Sequence, residues 1–519
     1  MHTRFFALIA VVAAVLSGSA QQSSLNVPEG RKARMNDVPT PGRFGGVRTA
    51  TGPRIDVDAS GLQASIPDTW PTDPVSGAQY LPGEVLVRFR NGVSSSLRLQ
   101  AMQAGRGRRV ARTLPGNWSL VELETGAATE ESVRAFRRRS EVLDATLNFR
   151  LRTMQTRPND QFYNLQWNFD AINMPAAWQI NPGARNDVTV AVVDTGLNTV
   201  TDTFVFASPI VGQIPVRFAE VPDLVAQGRI VDAHDFIYDD EFPVDLGGHG
   251  THVAGTIGQI TNNAFGVAGI AYNVKLMPLK VISGGSLISW DDIFAPGNRG
   301  GTVAVVAEGI TFAADHGAKV INLSLGGEGQ APALRDAIQY AVGKGAFVAI
   351  AAGNSAEDGN PIEYPAAYGT EINGAMAVGA LSRALRRADY SSFHDYVEVC
   401  APGGEMSSEF DFDGGVTQVG YDEDATLSFL TASQKIQALL QGFRPRFDQF
   451  ELRPFQGTSM ATPHIAGVAA LLFSQGITKP AAIEEAIERF ARQINARRDE
   501  CGAGLVDPRR ALRGLGLAR

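Results

Sequence analysis

Alternating apolar and polar positions between residues 80 and 153 predict a small α+β module. Residues 84–90 and 120–123 alternate as half-buried strands do, and residues 142–151 can form a third strand. Residues 129–139 begin with Thr and acidic side chains and end in arginines, which is typical of a capped helix. The pattern therefore indicates strands packed with at least one helix.

After residue 158 the pattern changes to near-continuous apolar runs separated by helical stretches. The β-branched run 188–193 is typical of a parallel strand that is buried on both faces. This alternation predicts an α/β fold with a mostly parallel central sheet covered by helices. Further strand-like runs occupy 275–282, 318–325, 346–351 and 375–379; helical stretches occupy 302–315 and 333–342; and 198–246 and 405–455 look like insertions.

Residues 1–20 have the pattern of a secretory signal peptide. Arg4 precedes the apolar run 5–16, and small residues follow at 18–20. The run is shorter than the roughly 20 apolar residues of a membrane-spanning helix, and no later stretch is long and apolar enough. We therefore expect a protein secreted to the extracellular space or the periplasm, without a membrane span. Residues 21–79, rich in Gly, Pro, Ser and Asp, predict a flexible linker.

Charge is unevenly distributed along the 519 residues. Residues 80–157 hold 14 Arg, no Lys and 7 acidic residues, a net charge of +7, whereas 158–519 carry −16. A basic module beside an acidic body predicts that the two attract each other. Alternatively, the arginine runs are solvated faces or contact nucleic acid, and the expected export argues against nucleic acid.

The sequence contains two cysteines, Cys400 and Cys501. In an exported protein they could form a disulfide, or both could be buried thiols. The sequence does not separate these alternatives. It also shows no Cys/His spacing typical of a metal site.

An aspartate and a histidine stand at glycine-marked breaks in the pattern. Asp194 ends the run 188–193, and ligands gather outside the carboxyl ends of parallel strands; taken alone, it could equally be a strand-end cap. His249 lies between two glycines in GHGTHVAGT (248–256) and is interpreted as a general base. His252 is expected to be a buried, satisfied histidine, because no third metal ligand follows at a known spacing.

Ser459 lies at the start of an apolar helical stretch, in QGTSMATPH (456–464). A helix N-terminus is partly positive and favours a developing oxyanion, and Pro463 is expected in the first turn. A second donor is expected from Asn354, and such a donor contributes about 3–4 kcal/mol of transition-state stabilisation. Taken alone, each is equally explained as a turn residue. His464 is expected to be structural, although it is close to Ser459 in sequence.

Asp, His and Ser occur in this order at the edges of an α/β pattern, and the chain thereby resembles the subtilisin-like serine protease family. The resemblance covers residues 158–515 and implies the three-layer fold and a secreted serine endopeptidase that works through an acyl-enzyme, without a catalytic metal. The alternative is a catalytically silent relative that binds polypeptides; the intact motifs favour the enzyme. The matching stretches are AVVDTG, GHGTHVAGT, INLSLGG, AAGNS, APGG and GTSMATPH.

The resemblance implies a role for each motif residue. Asp194 orients His249, which acts as general base and then general acid, while Ser459 attacks the scissile carbonyl. Asn354 and the backbone N–H of Ser459 form the oxyanion hole. Extended substrates are expected to pair with a strand and to fill a first specificity pocket. The residues implied there are Ser324, Leu325 and Gly326 for the strand, and Ala352 and Gly353 for the pocket wall.

Tyr364-Pro365 matches a position where this family carries a cis proline. The match puts Glu363 at the base of the first specificity pocket, where a carboxylate would favour Lys or Arg before the scissile bond. The alternative is an exposed loop glutamate.

Calcium is the usual structural ion of this family, and residues 262–267 resemble its binding loop. Asn263 would supply a side-chain oxygen, and Asp160 resembles a carboxylate that completes the site. The other expected carboxylate falls at Thr203, next to Asp202. Main-chain carbonyls are implied from Thr261, Phe265 and Val267.

The module at 80–153 resembles the family's inhibitory propeptide, most clearly in PGEVLVRF (82–89), and this implies a ferredoxin-like fold. We therefore expect a self-processing zymogen, cut between residues 151 and 160 by its own active site. We expect a monomer whose partners are polypeptide substrates and its own propeptide. The predicted domains are 1–20 signal peptide, 21–79 linker, 80–157 propeptide and 158–519 peptidase.

Overall fold

A computed structural model describes residues 80–149, 157–208, 211–226, 228–284, 301–426 and 432–514, together with residues 71 and 73. The predicted signal peptide and most of the predicted linker lie outside the described residues. The chain divides into two compact units, one within residues 63–155 and the other in the rest of the chain.

The N-terminal unit is an antiparallel sheet of four strands with two helices. Val85, Val87 and Phe89 are buried at alternate positions, which explains the sequence pattern of the first strand. The sheet order β2-β3-β1-β4 and the βαββαβ chain order confirm the ferredoxin-like prediction. The elements are β1 (Tyr80–Phe89), α1 (Ser95–Ala104), β2 (Gly107–Leu114), β3 (Trp118–Leu123), α2 (Thr129–Arg137) and β4 (Val142–Phe149).

The sequence pattern did not predict two elements of this unit, α1 and β2. Strand β2 exposes most of its side chains, so its sequence GRRVARTL shows no apolar alternation. Helix α1 buries only Ala101, and its apolar stripe is correspondingly weak. Both elements are stabilised by strand pairing and by packing against neighbouring elements, although neither has a clear amphipathic sequence pattern.

The C-terminal unit is built on a seven-stranded parallel sheet in the order β13-β12-β11-β10-β5-β9-β8. Val190 and Val192 belong to one buried cluster, and Ala191 and Val193 belong to another. The sheet is therefore covered on both faces, as its continuous apolar runs predicted. Its strands are β5 (Thr189–Asp194), β8 (His234–Asp235), β9 (Lys275–Lys280), β10 (Val320–Leu323), β11 (Phe347–Ala351), β12 (Ala375–Leu381) and β13 (Val399–Pro402).

Helices pack against this sheet, and short elements complete the unit. The helices are α3 (Trp167–Ala171), α4 (Met174–Trp178), α5 (His249–Gly258), α6 (Val303–Asp315), α7 (Pro332–Gly343), α8 (Glu423–Thr426), α9 (Ala432–Leu440), α10 (Thr458–Ser474), α11 (Pro480–Phe490), α12 (Arg498–Cys501) and α13 (Pro508–Gly514). Within the described residues, none of the helices combines the length and the apolar character that a membrane crossing requires.

The two predicted insertions contact each other. The first contains a hairpin of β6 (Asp202–Ser208) and β7 (Gly212–Phe218); the second contains β14 (Val416–Tyr421), β15 (Arg446–Phe447) and β16 (Phe450–Phe455). Strand β15 pairs in parallel with β7, which joins the insertions in one three-stranded sheet. Phe218 stacks on Phe447 with ring centroids 5.3 Å apart, and Tyr421 packs edge-on against Phe447.

Cys400 and Cys501 form a disulfide. The pairing joins the start of β13 to the end of α12, 101 residues further along the chain. The structure thus resolves the choice between a disulfide and two thiols that the sequence left open.

Candidate active site

The predicted catalytic side chains collect at the carboxyl ends of the central parallel strands. Asp194 is the last residue of β5, and Asn354 follows the end of β11. His249 opens helix α5, while Ser459 is the second residue of α10, and these two helices pack together. Four side chains that are distant in sequence are therefore brought to one edge of the sheet.

Asp194 and His249 share a short hydrogen bond. The distance from His249 Nδ1 to Asp194 Oδ1 is 2.7 Å, and the Asp194 side chain is fully buried, whereas the His249 side chain is 33% exposed. Burial lowers the pKa of His249, but the charge of Asp194 and this hydrogen bond outweigh it, so the pKa lies above its ordinary value. The bond fixes Nδ1 against the carboxylate and leaves Nε2 as the ring nitrogen that can exchange a proton.

Asp245, a second buried carboxylate, holds the N-terminus of α5. Its Oδ1 accepts the N–H groups of Gly247 and Gly248 at 2.9 and 2.8 Å, and its Oδ2 accepts the N–H of Thr251 at 2.9 Å. An acidic group suits the positive end of a helix. The sequence analysis missed this residue, although an acid four positions before His249 is a usable signal for a helix cap.

Ser459 and Ser324 exchange two hydrogen bonds. The Ser459 hydroxyl donates to the Ser324 carbonyl at 3.2 Å, and the Ser324 hydroxyl donates to the Ser459 carbonyl at 2.8 Å. Pro463 lies in the second turn of α10, not in the first turn as expected, because the helix already begins at Thr458.

The amide of Asn354 is oriented by the residue that precedes Ser459. Its Oδ1 accepts the N–H of Thr458 at 2.8 Å and the Thr458 hydroxyl at 3.0 Å. The amino group of the same amide is consequently directed to the opposite side. That group is the donor an oxyanion would require.

The other two histidines of these motifs have structural partners, as expected. His252 is fully buried, its Nε2 lies 3.0 Å from the Val416 carbonyl, and burial lowers its pKa to about 3. His464 is also fully buried, with Nε2 at 2.9 Å from the Asn168 amide, and burial lowers its pKa to about 4. Both are therefore neutral rings that stabilise the packing of helices α5 and α10.

The residues predicted to bind substrate follow the ends of two neighbouring parallel strands, β10 and β11. Ser324, Leu325 and Gly326 directly follow β10, and the next residue, Gly327, pairs with Tyr364 through two backbone hydrogen bonds of 2.9 and 2.8 Å. Ala352 and Gly353 follow β11 on the other side.

Glu363 is 7% exposed, so it is not the exposed loop residue of the alternative interpretation. Its carboxylate lies directly against Gly353, where an added Cβ would overlap it, and near Gly326. The hydroxyl of Ser392 donates to Glu363 Oε1 at 3.3 Å, and the following Tyr364–Pro365 bond is cis.

The predicted calcium loop lies beside two carboxylates, the buried Asp160 and the half-buried Asp223. Asp160 accepts the N–H groups of Asn262 and Asn263 at 3.0 and 3.4 Å, and the Asn263 amide donates to Asp223. Burial raises the pKa of Asp223 to about 8, and the negative charge of Asp160 adds to the rise.

The carboxylate bonded to Asn263 is Asp223, whereas the sequence match put the other expected carboxylate at Thr203, with Asp202 adjacent. Thr203 and Asp202 are exposed on the edge strand β6. The hairpin of β6 and β7 is an extra segment, and the chain reaches the calcium loop only after it, at Asp223. The Pro222-Asp223 pair is a turn signal in the sequence that could have identified Asp223. In the structure Asp223 has a φ of 61°, as a residue in a tight turn can.

The remaining residues predicted as main-chain ligands belong to the same loop. The Thr261 hydroxyl bonds the Gln259 carbonyl at 3.0 Å, the Phe265 N–H donates to Asn263 Oδ1 at 3.0 Å, and Val267 is fully buried. Within the part of the chain that the structure describes, no group of three or more His, Cys, Asp and Glu side chains could hold a metal. Two carboxylates, an amide and nearby carbonyls are nevertheless hard oxygen donors, so this set fits calcium.

Comparisons with known proteins agree with this geometry. Residues 185–504 match the subtilase family, and residues 68–148 match the fervidolysin N-terminal prodomain. The chain is 32% identical to thermitase of Thermoactinomyces vulgaris, over 68% of this chain and 99% of that enzyme. It is 30% identical to a thermophilic serine proteinase of Bacillus sp. strain AK1, over 80% of this chain and 84% of the relative.

Solved structures show the same fold. A protease from Pseudoalteromonas arctica, 28% identical, superimposes with a TM-score of 0.52 over 69% of this chain and all of that one. Fervidolysin from Fervidobacterium pennivorans, 24% identical, gives a TM-score of 0.51 over 88% of this chain and 65% of its own. With its motifs, its seven-stranded parallel sheet and these matches, the chain belongs to the subtilase family and is a serine endopeptidase with a fervidolysin-type prodomain.

Proposed function

We propose that this chain is a secreted, self-processing zymogen in which Asp194, His249 and Ser459 form the catalytic triad. The observation that carries the proposal is the buried 2.7 Å hydrogen bond between Asp194 and His249, next to the helix whose N-terminus presents Ser459. A silent relative that only binds polypeptides would have no need of this pairing. It would also have no need of the oriented Asn354 amide.

In the proposed reaction, His249 Nε2 takes the proton of the Ser459 hydroxyl as the oxygen attacks the scissile carbonyl. The Ser459 N–H and the Asn354 amino group stabilise the oxyanion of the tetrahedral intermediate. His249 then gives its proton to the leaving amine, and an acyl-enzyme remains on Ser459. Water activated by the same histidine releases the acid product, while Asp194 stabilises the imidazolium throughout.

We propose that substrate polypeptides pair with the segment Ser324–Gly326 in extended form. The side chain before the scissile bond would enter the pocket bordered by Ala352 and Gly353. The buried carboxylate of Glu363 lies against Gly353, so a Lys or Arg side chain would find a charge partner there. We therefore propose a preference for basic side chains at this position.

Secretion is supported by the disulfide between Cys400 and Cys501, because disulfides persist in oxidising compartments. Relatives include an extracellular protease of Xanthomonas campestris. The signal-peptide pattern of residues 1–20 agrees with this assignment.

We propose that residues 80–157 inhibit and chaperone the peptidase body, 158–519, and are then cut away. The match to a prodomain supports this role. The net charges of +7 and −16 favour association of the two segments. We also propose that the protease acts on polypeptide substrates as a monomer.

We propose that the loop at 261–267 holds a structural calcium ion. Asp160, Asp223 and Asn263 would supply side-chain oxygens, and the loop would supply carbonyls from Thr261, Phe265 and Val267. The ion would neutralise two carboxylates whose burial is otherwise unfavourable.

Expression of the wild-type chain beside its Ser459→Ala variant tests the function. The wild type should lose its N-terminal region and hydrolyse peptides, whereas the variant should stay full length and be inactive. A folded wild type without hydrolytic activity would establish the silent binding protein instead. A Ser459→Ala chain that matures by itself would exclude self-processing by Ser459.

A further inference from the structure

The hydroxyl of Tyr390 lies next to the backbone that leads into Ser459. It accepts the N–H of Gly457 at 2.9 Å and donates to the carbonyl of Gly404 at 2.6 Å. Tyr390 belongs to the loop between β12 and β13, about 70 residues before Ser459. Neither the sequence motifs nor the proposed mechanism assigns it a role.

Gly457 determines where α10 begins. It is the N-cap of this helix, with φ 146° and ψ 161°, a conformation that favours glycine. Its carbonyl accepts the first helical N–H, from Met460, at 3.0 Å, and its N–H is shared between Tyr390 and the Gly403 carbonyl at 3.0 Å. Displacement of Gly457 would therefore move the N–H of Ser459, two residues further on.

The same displacement would reach the second oxyanion donor. The residue between Gly457 and Ser459 is Thr458, whose N–H and hydroxyl both donate to the side-chain Oδ1 of Asn354. The direction of the Asn354 amino group thus depends on Thr458, the residue that directly follows the one Tyr390 binds. Both donors of the oxyanion hole are linked to one tyrosine hydroxyl.

The loop that carries Tyr390 is itself firmly held. Arg387 Nη1 donates to the carbonyls of Ala388, Asp389 and Ser391 at 2.9, 3.0 and 2.7 Å. The backbone carbonyl of Tyr390 accepts the N–H of Ala356 at 3.1 Å. A hydroxyl on a fixed loop can set the position of its partner, whereas one on a mobile loop would follow it.

We propose that Tyr390 is a positioning residue for the oxyanion hole, acting through Gly457 on the Ser459 N–H and on Asn354. This inference rests on the proposed serine protease function. Its effect belongs to the transition state, because the developing oxyanion needs both donors whereas the bound ground-state peptide gains little from them.

The Tyr390→Phe variant removes the hydroxyl and keeps the ring. We expect kcat for a peptide substrate to fall about 10-fold while KM stays within about 2-fold, in line with the loss of one hydrogen bond that acts on the transition state. A peptide boronic acid, which forms a tetrahedral adduct with the serine, should lose affinity by the same factor. A peptide amide of the same sequence, which binds without an adduct, should keep its affinity.

The matched control is Tyr340→Phe on helix α7, which removes a hydroxyl that donates to the exposed carboxylate of Asp315 at 2.6 Å. It should leave kcat, KM and boronate affinity unchanged. Tyr390→Phe with wild-type kcat would overturn the proposal. Equal losses for boronic acid and peptide amide would also overturn it, since Tyr390 would then contact substrate directly. Inactive wild-type enzyme would instead refute the proposed function, which separates the two failures.

Discussion

The hydroxyl of Ser324 donates a 2.8 Å hydrogen bond to the carbonyl oxygen of Ser459. In a regular helix this carbonyl would accept the N–H four residues later, but that residue is Pro463, which has none. The proline thus leaves a part-buried acceptor without its helical partner, and the Ser324 hydroxyl takes that place. A residue of the substrate-binding segment is thereby joined to the backbone of the nucleophile.

This relationship predicts that Ser324→Ala destabilises the protein by about 1–2 kcal/mol, because it leaves the part-buried Ser459 carbonyl unpaired. The loss should be smaller in a Pro463→Ala background, where the new N–H can bond the Ser459 carbonyl. Thermal unfolding midpoints measured in Ser459→Ala chains, which cannot digest themselves, check both statements. Equal losses in the two backgrounds would show that the proline and Ser324 are not coupled.

The raised pKa of His249 predicts the acid limb of the pH profile. The general base must be neutral, so kcat/KM should fall as the pH drops through a midpoint above the ordinary histidine value of about 6.5. Asp194→Asn should lower kcat by about 10⁴-fold and move the midpoint down, because it removes the charge that raises the pKa. Steady-state rates from pH 5 to 10 measure both effects.

Asp239→Asn is the control for this profile. Asp239 is an exposed carboxylate that lies 3.8 Å from a different histidine, His234. Its substitution should leave the acid limb where it is. A shift of the limb with Asp239→Asn, but not with Asp194→Asn, would contradict the assignment.

The position of Glu363 predicts selectivity before the scissile bond. Peptides with Arg or Lys there should be cleaved faster than those with Phe or Leu, and Glu363→Gln should reduce the Arg-to-Phe ratio of kcat/KM by about 10- to 100-fold. Glu371→Gln, an exposed acid on the same loop, should leave the ratio unchanged. A wild type that cleaves all four peptides equally would exclude this role for Glu363.

The carboxylates of the calcium loop predict that chelation lowers the unfolding temperature. Calcium at about 100 times its dissociation constant would raise the free energy of unfolding by about 2.7 kcal/mol, and chelation would remove this stabilisation. Asp223→Asn should greatly reduce both the effect of chelation and the binding of calcium measured by calorimetry. Asp202→Asn should change neither, since its side chain is exposed on β6. If Asp202→Asn reduced calcium binding and Asp223→Asn did not, Asp202 and not Asp223 would be the ligand.

The sequence was informative where a signal is local. Strands β5, β11 and β12 are near-continuous apolar runs, and the breaks after two of these runs marked Asp194 and Asn354, which lie at or just after strand ends. Half-buried strands predict the α+β module at 80–153, while its ferredoxin-like fold is implied by the resemblance to the family's propeptide.

The rest depends on contacts between segments that are far apart in the chain. Asp223 accepts a hydrogen bond from Asn263, 40 residues away in sequence, and Tyr390 accepts one from Gly457, 67 residues away. No periodicity in the sequence predicts either pair. The sequence match did not find Asp223 because the hairpin of β6 and β7 lies between the matched position, Thr203, and Asp223. Strand β2 was missed because its residues face solvent.

The parallel pairing of β15 with β7 makes the two insertions one structural module in two pieces of sequence. Neither piece can be transplanted alone into another subtilase without leaving aromatic rings uncovered and a strand edge unpaired. The hydroxyl of Tyr421 also lies 3.2 Å from the Thr251 hydroxyl on α5, so the module is anchored to the helix of His249. Any engineered exchange, and any natural gain or loss of this module, must therefore treat both segments as a matched pair.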